Sequence, residues 1–565
     1  MLAYAEIEGN HINHTYTDWA YQYLLQNHPH DSICGCSVDQ VHKDMIYRFD
    51  QTQGICNRLT DRLYEFENDI HNAKDSGSEY MLKMYNNQSV WIDEYREVKI
   101  GFFKGYPSVT AGYAGKEVIN QFKVFDDDGN EIEYQILHVE KNVQKRIVSL
   151  FQSARDTDVY TICMNVKIPP CGYSTYKVMP AYGNVAYMET TMRYGDTWVE
   201  NELIKVDISP NGLITIFDKR TGREYTRLNN MIDNGEIGDG WRHQKPVNDF
   251  EVTAAGSEAV IRRISSGIAQ VSFKITKEMT LPAFLDATTN CRSTEEKKLK
   301  IDYIVTVKRN SPVVVIQTEI DNNIKDHRLR VVIPTGKKTD KYFAGQAFYM
   351  VERESGVDPK TANWYEPECL EKNMNGIIGT RDEEGEGLAF VSAEGLHEGG
   401  CDKNGDLLVT LYRCFDRVFL ENTAQRPQLQ QKLMFKYAIV PICSDDTYAD
   451  LLGVQHRLSN ADIVFSKRVA DGTEPMHKKS YLTVANSDIV LSIFKCAQDG
   501  EGYVVRLFNT TDQDIDTTVQ TGFMINEAYL TNMLEEAGEE LHVENNQFTI
   551  RFKPWEIKTI RFNAK

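Results

Sequence analysis

Apolar residues recur at helical spacing from Val38 onward, at Val41, Met45, Phe49, Leu59, Leu63, Phe66 and Ile70, and beyond Ser76-Gly77 the texture changes to short β-branched and aromatic runs. One switch of period therefore divides the chain into a short helical head and a long body of another kind. The head holds one long amphipathic helix, and Ser37 followed by Gln40 three positions on reads as a capping box at its start. The segment just before it is then a loop. Upstream, Tyr16 to Gln26 is a shorter helical pattern, and Met1 to Ile7 begins without a cap, as an internal point of a longer fold would.

The body is made of short β-branched and aromatic runs such as Glu97-Val98-Lys99-Ile100-Gly101-Phe102-Phe103, broken by turn signals such as Asp127-Asp128-Gly129-Asn130. Pro169-Pro170-Cys171-Gly172 closes a first block, a longer one runs from about 194 to 444, and a last one holds 487–562. No helical stretches separate successive strands, which predicts antiparallel sandwiches rather than βαβ units. At 565 residues the chain exceeds a single core. The expected fold class is mainly β with an N-terminal α-helical segment. A helical bundle domain at 1–75 precedes antiparallel β-sandwich domains at 76–190, 191–445 and 446–565.

Charge and cysteine content exclude several partners. The formal charge is −19 and the basic residues are scattered, so no stripe exists that could release counterions from a polyphosphate. Nucleic acid is excluded as a partner, and the lack of a long apolar run or an apolar leader argues against membrane insertion and secretion. Eleven cysteines, an odd number at irregular spacing, read as reduced thiols and point to the cytoplasm.

The densest set of chemically capable residues is Asn27-His28-Pro29-His30-Asp31-Ser32-Ile33-Cys34-Gly35-Cys36-Ser37, in the loop that enters the long helix. Imidazole and carboxylate can bind a metal or move a proton, and a loop stiffened by Pro29 can hold them in place. The same residues also suit plain helix caps and small buried thiols. A zinc site from His28, His30, Cys34 and Cys36 is a further reading, although ligands so closely spaced seldom wrap one tetrahedral ion. The residues alone leave these open.

Extended through Val38-Asp39-Gln40-Val41-His42-Lys43-Asp44-Met45, the cluster closely resembles a motif of glycoside hydrolase family 38 α-mannosidases, especially their bacterial branch. Other stretches agree in order along the chain: residues 211–224 beginning Asn211-Gly212-Leu213, then Gly235-Glu236-Ile237-Gly238-Asp239, and near the end Asn532-Met533-Leu534-Glu535-Glu536 and Trp555-Glu556-Ile557-Lys558-Thr559. The resemblance implies that His30 is one ligand of a divalent metal, usually zinc, and that Asp31 contacts the bound mannose. It also implies that an aromatic and an arginine complete the sugar pocket. Trp241 stands where the family usually has tyrosine, which would keep stacking and lose a hydroxyl contact, and Arg413 matches the arginine.

Both catalytic carboxylates of such a retaining enzyme lie earlier in the family's chain, as does a His-x-Asp pair that supplies further ligands. His42-Lys43-Asp44 is no substitute, because residues two apart on a helix face different sides. The resemblance thus implies the C-terminal part of an α-mannosidase without catalytic residues of its own, inactive and weak or empty in metal as an isolated chain. It further implies an apolar helical face open to self-association or to pairing with the catalytic domain. The implied substrate of the complete enzyme is an α-mannoside: a mannose disaccharide, mannosylglycerate or its phosphorylated form. The alternative is a noncatalytic β-sandwich protein that binds carbohydrate or a partner subunit.

Overall fold

A computed structural model describes the chain except for residues 68–77, 105, 107, 112–116, 148–152, 182–189, 287, 394, 418–425, 461, 470–471, 473–474 and 565. Ile70 of the expected stripe and the expected boundary at Ser76-Gly77 lie outside the described residues. Four helices form the head: α1 (Leu2–Ile7), α2 (Thr15–Leu25), α3 (His30–Ile33) and α4 (Asp39–Glu67). The long helix starts at Asp39, and the amide of Gln40 bonds forward to Asp44 Oδ1 at 3.0 Å, one turn on, rather than reaching back as a capping box would. Asn27 joins α2 to α4: its Nδ2 donates to the Met45 carbonyl at 3.0 Å and its Oδ1 accepts from Arg48 at 3.3 Å. Buried polar side chains need such partners, and Asn27 is only 1% exposed.

Period and burial do not coincide along α4. Met45, Leu59 and Leu63 are buried, the last two against Ala5, Ile12 and Phe465, whereas Phe49 of the same stripe is exposed together with Ile46 and Tyr47. Hydrophobic spacing reports which residues share a face, and only tertiary context decides whether that face is covered.

The rest is mainly β, and the ladders between strands are antiparallel among the described residues. In the first sandwich, a sheet containing Glu79–Asn86 and Gly172–Pro180 packs on a three-stranded sheet of Ile92–Phe103, Ser153–Ile168 and Tyr134–Ile147. The middle block holds a nine-stranded and a six-stranded sheet over one continuous core, preceded by the five-stranded meander from Arg193 to Leu228. In the meander, Asn211-Gly212 makes the expected turn. Gly212 has φ +80, and a Cβ there would stand 2.5 Å from the hydroxyl of Tyr303. A last sandwich of five and three strands closes the chain.

The sheets do not divide at 445/446, where the strand pattern put the boundary. Helix α5 (Tyr448–Ser459), capped by a Thr447/Asp450 box, packs on the middle block, and Ile463–Val469 and Lys478–Ser480 then return to the first sandwich. The terminal sandwich accordingly starts near Leu482. Among the described residues no helix is long and apolar enough to cross a membrane.

Candidate functional site

The head and the middle block face each other across a cleft of about 2350 Å³. Small-ligand pockets hold roughly 300–1,000 Å³, so this is a groove between structural units rather than a pocket for one small ligand. Ile33, Cys34, Gly35, Met45 and Ile46 line one wall, and Gly240, Trp241 and Arg413 line another.

On the helical wall, Pro29 enters α3 in an extended conformation and places His30 and Asp31 in its first turn. The His30 imidazole is 91% exposed, with Nε2 3.5 Å from Asp31 Oδ1. The thiol of Cys36 donates to the same Oδ1 at 3.5 Å. Burial and the Asp31 carboxylate push that thiol up to about 11, so Cys36 stays protonated near neutrality. No group of three or more His, Cys, Asp or Glu side chains placed to hold one metal ion is assembled among the described residues. His30 and Asp31 instead form an exposed pair, suited to supplying one edge of a coordination sphere.

Across the cleft, Arg413 ends the strand Asp406–Arg413. Its Nε donates to Glu236 Oε2 at 2.9 Å and its Nη2 to the Asp239 carbonyl at 2.8 Å. Glu236 is the centre of this wall. Its fully buried carboxylate also accepts from the amides of Gly238 at 2.7 Å and Gln244 at 3.0 Å, and its Oε2 lies 2.7 Å from His243 Nδ1. Burial alone would raise its pKa, but the bonds and charges of His243 and Arg413 outweigh it and hold the group below the ordinary glutamate value. The loop so pinned carries Trp241, 55% exposed, whose amide donates to Asp239 Oδ1 at 2.9 Å.

The two walls meet at Gly240. A Cβ on this glycine would stand 2.6 Å from the Cβ of Cys36, so only glycine lets the Trp241 loop rest against the His30 loop. The four residues singled out in the sequence thus sit on two adjoining walls: His30 and Asp31 in α3, Trp241 on the loop that meets Cys36 at Gly240, and Arg413 at the end of its strand. Glu236 was passed over because its partners at 243 and 413 are not visible in sequence; the acid enclosed by Gly235 and Gly238 was the available signal. A second charged group was missed as well. Glu371 pairs with Arg330 at 2.5 Å and Arg328 at 3.3 Å, and Arg328 lies directly opposite Arg413 in the ladder. Burial opposes its ionisation, but the two guanidiniums prevail and hold Glu371 at about 2.

Residues 199–414 match the glycosyl hydrolases family 38 C-terminal domain, and 488–560 match the family 38 C-terminal beta sandwich domain. The chain is 24% identical to a protein of Halalkalibacterium halodurans named "Putative mannosylglycerate hydrolase", over 98% of this chain and 64% of that protein. Two solved structures from Enterococcus faecalis, an alpha-mannosidase and a glycosyl hydrolase family 38 protein, each superpose with a TM-score of 0.84 at 25% identity. Both cover 100% of this chain, which spans 65% and 68% of their lengths.

Proposed function

We propose, for a chain that carries the C-terminal domains of glycosyl hydrolase family 38, that it belongs to a retaining, metal-dependent hydrolase of α-mannosides and contributes one half of the sugar site. The observation that carries this reading is the contact of Gly240 with Cys36, which sets the segment of His30 and Asp31 against the Trp241 loop that Arg413 holds through the Asp239 carbonyl.

In this reading His30 Nε2 is one ligand of a divalent metal, and an imidazole donor suits zinc. When bound, such an ion would supply electrostatic hold on vicinal sugar hydroxyls. Asp31 accepts a hydrogen bond from the mannose. The exposed indole of Trp241 packs on the ring, and Arg413, fixed by Glu236, bounds the pocket. A single imidazole with one neighbouring carboxylate leaves most coordination positions to water, so metal affinity of these 565 residues is weak. The nucleophile and acid/base belong to neither wall, and the chain alone does not turn over substrate. The eleven cysteines, all free thiols, support a reducing, cytoplasmic setting.

The test is an aryl α-mannoside assay on this chain and on a chimera that adds the part of the Enterococcus alpha-mannosidase lying outside the match. The chain alone gives no turnover above its His30→Ala variant. The chimera gives metal-dependent release of α-mannose, reduced about a hundredfold or more by His30→Ala. Turnover by the chain alone, or a chimera indifferent to His30→Ala, contradicts the assignment.

A further inference from the structure

Between Tyr349–Glu354 and Lys372–Asn373 the chain makes a long excursion that leads into the cleft wall at Glu371. Its interior is built from small and charged residues. Asp358 caps a 3-10 turn over Pro359–Asn363 by accepting from the Lys360 amide at 2.9 Å. Glu368 ties the ends together: Oε2 accepts from the Asp358 amide at 2.6 Å and Oε1 from Lys372 Nζ at 2.5 Å. Thr361 is buried at the centre and accepts from the Glu368 amide at 3.1 Å.

The two largest side chains of this loop take no part in that interior. Trp364 is 64% exposed and Tyr365 is 95% exposed, while a threonine occupies the buried position. Two adjacent aromatics held outward on a loop closed by other residues are a surface, not a failed core. Arg242, next to Trp241, reaches Glu366 at 3.6 Å, which sets the aromatic tip beside the Arg413 wall. Asn363 and Glu366 flank the two aromatics in sequence, which adds an amide and a carboxylate to the polar groups of this tip. A pyranose presents this combination in reverse, with an apolar C–H face and a rim of hydroxyls.

We infer that Trp364 and Tyr365 form a saccharide-binding platform that receives further sugar rings of an α-mannosyl oligosaccharide beside the Arg413 site. The inference rests on the mannoside reading above and narrows it: the aglycone is a sugar ring, which can stack, rather than a small acid, which cannot.

Native electrophoresis of the whole chain through gels containing α-mannan, dextran or no polysaccharide tests this without catalysis. Mannan slows the wild-type chain, dextran does not, and Trp364→Ala/Tyr365→Ala weakens the effect about tenfold or more. Trp364→Phe/Tyr365→Phe recovers part of it, which separates loss of the ring faces from loss of the fold, and unchanged thermal unfolding of the alanine variant checks the same point. No slowing of the wild type, or equal slowing of the alanine variant, overturns the platform; equal slowing in dextran overturns the mannosyl class. If the alanine variant instead abolishes self-association with no response to mannan, the tip is a protein contact and the inference fails. Retained slowing together with an inactive chimera rejects the hydrolase reading while leaving the platform in place.

Discussion

Arg413 Nε stands 2.9 Å from Glu236 Oε2, with its Nη2 2.8 Å from the Asp239 carbonyl, so one guanidinium spans a buried carboxylate and the loop that presents Trp241. Lysine carries the charge but cannot make both bonds from a planar fork. Arg413→Lys is expected to cost about 1–3 kcal/mol in denaturant unfolding and to speed amide exchange in 239–244. Glu236→Gln is expected to cost more, about 3–5 kcal/mol, because Arg413 loses its buried counter-charge. Equal exchange in wild type and Arg413→Lys would show that the loop holds itself.

The contact between the two walls is open to a coupling experiment. Gly240→Ala places a methyl 2.6 Å from the Cys36 Cβ and is expected to destabilise the chain by about 1–3 kcal/mol. Cys36→Gly in the same chain removes the opposing Cβ and should recover part of that loss. A double variant no better than the sum of the single ones would mean that the loops do not press on each other.

What the sequence disclosed and what it hid follow from the range of the interactions. The period of α4, the turn at Gly212 and the antiparallel texture are local properties, and each could be read from neighbouring residues. The return of Ile463–Val469 to the sheet of Glu79–Asn86 could not, because its partner lies hundreds of residues away and the strand itself looks like any other. The same holds at the site. His30 and Asp31 stood out as a compact motif, whereas Glu236 acquires its meaning from Arg413 and Glu371 from Arg328 and Arg330, all distant in sequence. Phe49, Ile46 and Tyr47 are exposed, as the expected open apolar face of the long helix requires, whereas Met45 beside them is buried.

Glu371 provides a pH test. Its folded value of about 2 lies below the ordinary 4.5, so its contribution is complete above pH 4.5 and is lost as pH falls from 4.5 toward 2. The wild type should lose about 3 kcal/mol from this group over that window. Glu371→Gln should lack that part of the acid transition and be less stable by about 3–5 kcal/mol at pH 7, where Arg328 and Arg330 are left without their carboxylate. Parallel stability curves for the two proteins below pH 4.5 would refute the assignment.

His456 on α5 acts in a higher window. Burial first, and then the charges of Arg96 and Arg457, lower its pKa from 6.5 to about 4. Between these values the unfolded chain takes up a proton that the folded chain refuses, so stability falls as pH drops from 6.5 to 4. His456→Gln should remove about 1–3 kcal/mol of that decline, measured by urea unfolding at pH 7 and pH 4.5. An unchanged decline would place the acid sensitivity elsewhere.

The helical wall supplies the last prediction. Ile46 and Phe49 are three residues apart on α4 and share a face, both are about half exposed, and with Ile33 they line the cleft. Tyr16, Trp19, Tyr21 and Leu25 add exposed apolar surface on α2. An apolar surface of this extent on a chain charged at −19 is costly to leave wet, and the charge alone would keep copies apart. Burial of such a face outweighs that repulsion once salt screens it, so the purified chain is expected to self-associate reversibly, more strongly at high ionic strength. Sedimentation velocity at increasing concentration and salt measures this, and Ile46→Glu/Phe49→Glu should return the chain to a monomer and lower its uptake of an apolar dye. Addition of the chimera's extra segment as a separate polypeptide should compete with the association if it covers the same wall. A monomer at all concentrations and salts, with no dye uptake, would show instead that α4 needs no further partner.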